Sequence, residues 1–207
     1  KSVRGKALLL AVMGRETLDK GANIAAAHVD SPRLDLKPLP LYEKDEICLF
    51  KTHYYGGIKK YQWVAIPLEL HGVVTKKDGE TVEVVIGKDP DDPKFTITDL
   101  LPHLAKDQMA KHGSDIIPGE YLNVLAGSIP YAGEGNKRVM LAVMSLLNDR
   151  YGITEEDFIS AELEVVPSFE ACDIGVDRSL IGGYGQDDRV CAYAELKAIF
   201  DTETPER

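Results

Sequence analysis

From Pro32 to about Val85 the chain is rich in β-branched and aromatic residues, whereas apolar runs and helix-like stripes dominate before and after. This change of character constrains the fold more than any other feature. β-branched and aromatic side chains suit a pleated, half-buried surface, so the middle of the chain reads as strands. Ile47 to Tyr54, Gln62 to Leu70 and Thr81 to Ile86 are the candidate strands. Gly56-Gly57 and Asp78-Gly79 are turn signals between them, and Pro32, Pro38 and Pro40 punctuate the start of the stretch. Upstream, Ala7 to Met13 and Asn23 to Val29 read as apolar strands either side of a polar turn, Gly14 to Gly21. The second reads as a strand buried on both faces inside an α/β sheet.

Downstream, Lys88 to Lys94 is a polar linker, and Asp99 to Lys111 reads as a helix. Lys137 to Tyr151 is a stronger helix, with Val139, Val143, Leu146 and Leu147 on one stripe and Gly152 as its stop. Thr154 to Asp157 has the pattern of a capping box, and Ala161, Leu163 and Val165 alternate as a strand. Pro167 to Gly185 is loop-rich, and a helix is expected from Asp188 to Asp201. The fold class is therefore α/β. One α/β domain, residues 1–37 and 159–207, is expected to be interrupted by an inserted β-rich domain at 38–158.

The 207 residues are 44% hydrophobic, enough for one large core or two small ones. A net charge of -10 repels nucleic-acid phosphates and anionic lipid, so neither is an expected partner. No apolar run approaches the roughly 20 residues that span a bilayer. Lys1 to Gly5 leads straight into a strand-like run with no secretory pattern, so a cytoplasmic location is expected. The three cysteines, Cys48, Cys172 and Cys191, form no CxxC pair and read as reduced core residues.

Chemistry concentrates in two short motifs. His28-Val29-Asp30-Ser31-Pro32 closes the apolar run Ala22 to Ala27, and Gly185-Gln186-Asp187-Asp188-Arg189 opens the last helix. Imidazole nitrogen and carboxylate oxygen are the donors that zinc and similar cations take. On a strand, residues i and i+2 share a face, so Asp30 can accept the second ring N–H of His28 and raise its basicity as a ligand. Adjacent carboxylates at Asp187 and Asp188 repel unless a cation or a helix N-terminus neutralises them. The bland alternatives are a satisfied core histidine with a turn aspartate, and a simple helix cap at Asp188. His53-Tyr54-Tyr55-Gly56-Gly57 reads as a turn with flanking aromatics, and His71, His103 and His112 are scattered.

Four ordered blocks carry a family resemblance. Ala26-Ala27-His28-Val29-Asp30-Ser31-Pro32-Arg33-Leu34 resembles the HxDSPxL segment of the M18 metalloaminopeptidases, the aspartyl aminopeptidase and aminopeptidase I group. Tyr55-Gly56-Gly57 followed by Trp63, then Leu101 to Ala105, then Ser179 to Cys191 resemble that family's later blocks in the same order. The resemblance implies a zinc-peptidase-type α/β catalytic domain carrying an inserted β domain, with members assembled as tetrahedral dodecamers. It implies His28 as a terminal metal ligand and Asp30 as the catalytic carboxylate that supports it. It implies Asp187 as the aspartate bridging two divalent ions, across a cis peptide to the next residue. Zinc is the expected metal, with cobalt and manganese as alternatives, and the expected substrates are peptides with a free N-terminus. The general-base glutamate, the adjacent glutamate ligand and the last aspartate and histidine ligands fall downstream of the Asp187 helix in the family. Family chains also carry a segment before the Gly5-Lys6 region, so this chain is expected to be part of a longer polypeptide. A histidine donated to a neighbouring subunit in the family aligns with Asp107 here, with His103 close by. A different metallo-amidase or deacylase on the same scaffold and a non-catalytic assembly module are the rival readings.

Overall fold

The computed structural model describes residues 1–3 and 5–206. Arg4 and Arg207, at the two ends of the expected α/β domain, lie outside them. The chain divides into two compact units, Lys1–Ser31 with Gly183–Arg207, and Pro32–Gly182.

The first unit carries the short strands β1 (Ser2–Val3) and β2 (Ala7–Leu8), which pair antiparallel. The second is built on a six-stranded sheet of β3 (Arg33–Lys44), β4 (Ile47–Tyr55), β5 (Leu68–Thr75), β6 (Thr81–Ile86), β7 (Val124–Gly127) and β8 (Ala161–Pro167). Its strand order is β6-β5-β8-β3-β4-β7, and every neighbouring pair is antiparallel. A separate hairpin, β9 (Cys172–Ile174) with β10 (Leu180–Gly182), lies inside the stretch expected to be loop. The helices are α1 (Lys106–Met109), α2 (Arg138–Tyr151) and α3 (Gln186–Asp201).

Alternation makes the sheet one-sided. Leu34, Leu68, Leu70, Val84, Ile86 and Val165 are buried on one face. The register brings Asp35, Glu164 and His71 side by side on the other. Helix α2 packs against β3, β4 and β7 through Val139, Val143 and Leu147. Phe50 sits in this core with its ring 6.2 Å from Phe95 and 6.4 Å from Phe158. Gly152 ends α2 in the left-handed region at φ 67, its N–H bonded to the Asn148 carbonyl at 2.7 Å.

Several expectations need correction. β3 runs through Pro38 and Pro40, which lie where its register with β4 shifts between Leu36 and Leu41. A proline is tolerated where no ladder hydrogen bond is required of it, and the shift moves the buried face from Leu34 to Leu41. Residues 62–67 are not strand: a 3-10 turn, Lys60–Gln62, leads through buried Trp63 and Ala65 at φ 58 to Pro67. Of Asp99 to Lys111 only α1 is helical. Leu146 is 69% exposed, one step of about 100° round the helix from buried Leu147. Asn23 to Val29 forms no strand and is exposed, and of Ala7 to Met13 only β2 is strand. A run of this kind becomes a buried strand only with a ladder partner and cover on both faces, and among the described residues this one has no strand beside it. Cys48 is buried, but Cys172 and Cys191 are exposed, not core. No helix among the described residues is long and apolar enough to cross a membrane.

Candidate metal centre

Both motifs fall in the first unit. His28 stands on an extended segment, and Asp187 stands where α3 begins. Asp187 (φ -90, ψ 110) and Asp188 (φ -118, ψ 24) are non-helical, and the peptide bond between them is cis. Asp188 makes no side-chain cap bond; the N-cap position is Gly185. The chain ends of the unit meet where the Arg15 and Glu16 N–H groups bond the Pro205 and Glu206 carbonyls at 3.0 and 2.8 Å.

Asp30 reaches His28 as its i+2 position suggests, although the segment is not a strand. His28 Nδ1 lies 3.0 Å from the Asp30 carbonyl oxygen and 3.2 Å from Asp30 Oδ1. Both are acceptors, so Nδ1 carries the hydrogen and Nε2 is left as the donor nitrogen for a cation. Nε2 lies 4.0 Å from Asp187 Oδ1 and 3.6 Å from Asp188 Oδ2. Two ligand atoms can share one ion only within the sum of two bond lengths, about 4.2 Å for nitrogen and oxygen on zinc. The His28–Asp187 pair meets that limit, and the donor types suit zinc. The side chains of His28 and Asp187 are 57% and 93% exposed, so both are open to an incoming ion. Among the described residues no group of three or more His, Cys, Asp or Glu is arranged to hold a metal.

Electrostatics agree with the geometry. Desolvation pulls the His28 imidazole down, but its bond to the Asp30 carbonyl and the charges of Asp30 and Asp188 outweigh it and raise its pKa. The same negative surroundings that favour a proton on His28 favour a cation in the proton's place. The Cys191 thiol bonds Asp188, and that bond, with burial and the carboxylates around it, raises its pKa.

Sequence reasoning missed Ser31. It is buried, and its Oγ–H donates to the Asp187 carbonyl at 3.1 Å. A serine before a proline carries no signal of such a partner. The other histidines belong to the sheet unit. His71 Nε2 pairs with Glu69 Oε1 at 2.8 Å on β5. His53 stacks on Tyr54 at 5.7 Å, and Arg33 lies 4.0 Å over the Tyr55 ring. His103, Asp107 and His112 lie on exposed positions of the sheet unit around α1.

Comparison with known proteins agrees with the motifs. The family described as aminopeptidase I zinc metalloprotease (M18) matches residues 3–207. The chain is 52% identical over 205 residues to a probable M18 family aminopeptidase 1 of Clostridium acetobutylicum, covering 99% of this chain and 44% of that protein. It is 55% identical over 204 residues to the corresponding protein of Thermotoga maritima, with the same coverage of 99% and 44%. The chain thus spans less than half the length of these curated relatives. Among solved structures it resembles aminopeptidase I of Clostridium acetobutylicum with a TM-score of 0.87 at 49% identity, over 93% of this chain and 42% of that one. An M18 aminopeptidase of Thermotoga maritima gives a TM-score of 0.82 at 57% identity, over 86% and 39%. With the match running along nearly every residue, the chain belongs to the M18 family of aminopeptidase I zinc metalloproteases.

Proposed function

We propose that the whole protein is a metal-dependent aminopeptidase whose metal centre is founded on His28 and Asp187. The observation that carries this reading is the approach of His28 Nε2 to Asp187 Oδ1 at 4.0 Å, with Asp30 on the other ring nitrogen. His28 and Asp187 would hold the divalent metal, zinc in the first instance. Bound there, the ions supply Lewis acidity for the scissile carbonyl, lower the pKa of the attacking water and hold the substrate's free amine. Asp30 fixes the His28 tautomer and keeps its ring oriented. The negative field of Asp30, Asp187 and Asp188 favours cations. A glutamate general base and the remaining ligands come from parts of the protein outside these 207 residues.

A requirement for a free substrate amine would make the enzyme an exopeptidase. Residues 38–158 act as a β-rich insertion in the catalytic domain, serving assembly and access in a homo-oligomer, a dodecamer in this reading. The compact sheet unit, Pro32–Gly182, is wider than those bounds, since β3 begins at Arg33 and β8, Ala161–Pro167, lies beyond them. The unpaired cysteines suit a reducing cytoplasm.

Hydrolysis of a panel of aminoacyl chromogenic substrates by the full-length protein, with and without chelator, tests this. Chelator-sensitive cleavage of free-amine substrates alone is the expected result. Cleavage of N-acetylated controls would instead favour an amidase. Inactivity with zinc, cobalt and manganese would leave an assembly role.

A further inference from the structure

We propose that Ser31 is a positioning residue of the metal centre, acting through its hydrogen bond to the Asp187 carbonyl. This inference rests on His28 and Asp187 being metal donors. The two side chains stand on backbone segments far apart in sequence. Their relative position must come from the backbone segments that carry them. Ser31 follows His28 by three residues on the same segment and donates to the backbone of Asp187 at 3.1 Å. It is also the single buried residue of its unit among those described. A hydroxyl held there ties the His28 segment to the residue whose carboxylate must face it.

Gly185 completes the arrangement. A Cβ at Gly185 would come within 3.2 Å of Ser31 Oγ, tighter than an ordinary contact. The glycine's φ of +85 is itself one that side chains rarely adopt. The chain before Asp187 therefore has its open position where the serine hydroxyl enters. An ion-binding pair set in place before the ion arrives keeps its affinity, because binding need not then order the donors.

The test uses the full-length protein, with Ser31→Ala, Ser31→Thr and Ser31→Cys. Zinc affinity is read by competition with a chromophoric chelator, and site geometry by the visible absorption of the cobalt-loaded protein. Ser31→Ala should weaken zinc binding about 10- to 100-fold, the usual effect of removing a group that orients a ligand, and should alter the cobalt spectrum. Ser31→Thr keeps the hydroxyl and should restore most of both. Where Ser31→Ala does not yield folded protein, Ser31→Cys, of similar size with a weak S–H donor, should show the same loss at smaller amplitude. Unchanged affinity and spectrum in folded Ser31→Ala or Ser31→Cys would overturn the inference while leaving the metal site standing. Failure of the hydroxyl-bearing Thr variant to recover what Ala loses would also overturn it. A wild-type protein that takes up neither metal would sink the reading of His28 and Asp187 and this inference with it.

Discussion

The two units are built from similarly apolar sequence and end in opposite states. Every buried apolar side chain among the described residues, from Leu34 to Val165, belongs to the sheet unit. In the metal-motif unit Leu8, Leu9, Met13 and Ile24 are exposed, at 65, 66, 71 and 88%. Composition cannot explain the contrast, since Ala7 to Met13 is more apolar than Leu68 to Val74, which contains Glu69, His71 and Gly72. What differs, within the 44% of its relatives' length that the chain spans, is pairing among the described residues. β5 is hydrogen-bonded between β6 and β8, whereas β2 pairs only with the two residues of β1. Apolar residues become a core only when a ladder satisfies their backbone and a second layer covers them.

The sharpest test exchanges phenylalanine for alanine in each unit. Phe50 is 1% exposed and lies between two other phenylalanine rings, whereas Phe200 on α3 is 71% exposed. Phe50→Ala should cost about 3–5 kcal/mol of stability and Phe200→Ala less than about 0.5 kcal/mol. Trp63 is the sole tryptophan and is buried in the sheet unit, so its fluorescence during urea unfolding follows that unit. Equal shifts of the midpoint for the two variants would abolish the comparison.

Gly72→Ala probes the ladder instead of the core. Gly72 lies in β5 at φ 145, and a Cβ there would meet the Glu162 carbonyl oxygen at 1.9 Å. The strands must part or the backbone must turn, at about 2–3 kcal/mol. A Gly72→Ala protein whose Trp63 transition matches wild type would show that β5 and β8 can separate freely.

Legibility in the sequence follows the same division. Local rules sufficed for α2 with its glycine stop, for the turns at Gly56 and Gly79, and for the strands Ile47–Tyr55 and Thr81–Ile86. The His28 and Asp187 motifs stood out because their residue types carry chemistry, and the ordered blocks carried the family. Long-range facts were not legible. Nothing local says that β3 continues through two prolines, that Asn23 to Val29 stands unpaired, or that Ser31 bonds a carbonyl supplied from far along the chain.

A smaller effect tests one of the local rules. The Asp157 carboxylate accepts from Thr154 N and Oγ1 at 2.8 Å each and from Lys77 N at 3.3 Å. The hydrogen bond from the Thr154 backbone holds its pKa below the ordinary carboxylate value, against a desolvation that pushes it up. A depressed folded pKa favours the native state above the unfolded value, near 4, and this contribution fades as pH falls through the folded value. Asp157→Ala should therefore cost about 1 kcal/mol at neutral pH, with the gap from wild type closing in acid below about pH 4. A gap that widens in acid would contradict the assignment.

The least costly change should stabilise the sheet unit. Lys44 and Ile47 are paired across the β3–β4 hairpin, leaving Asp45 and Glu46 as its two-residue loop. Both have positive φ, 52 and 60, the geometry of a type I′ turn. That turn favours Asn-Gly, because the left-handed region crowds a Cβ against the following carbonyl at about 1–2 kcal/mol. Glycine at the second position removes that crowding but loses more chain entropy on folding, which offsets about 0.5–1 kcal/mol. Glu46→Gly should thus raise stability by roughly 0.5 kcal/mol, seen as a small upward shift of the Trp63 midpoint with an unchanged slope. A downward shift would mean that the Glu46 side chain contributes more to this hairpin than its backbone strain takes away. The contrast between units would then rest on side-chain contacts at the hairpin tip as well as on strand pairing.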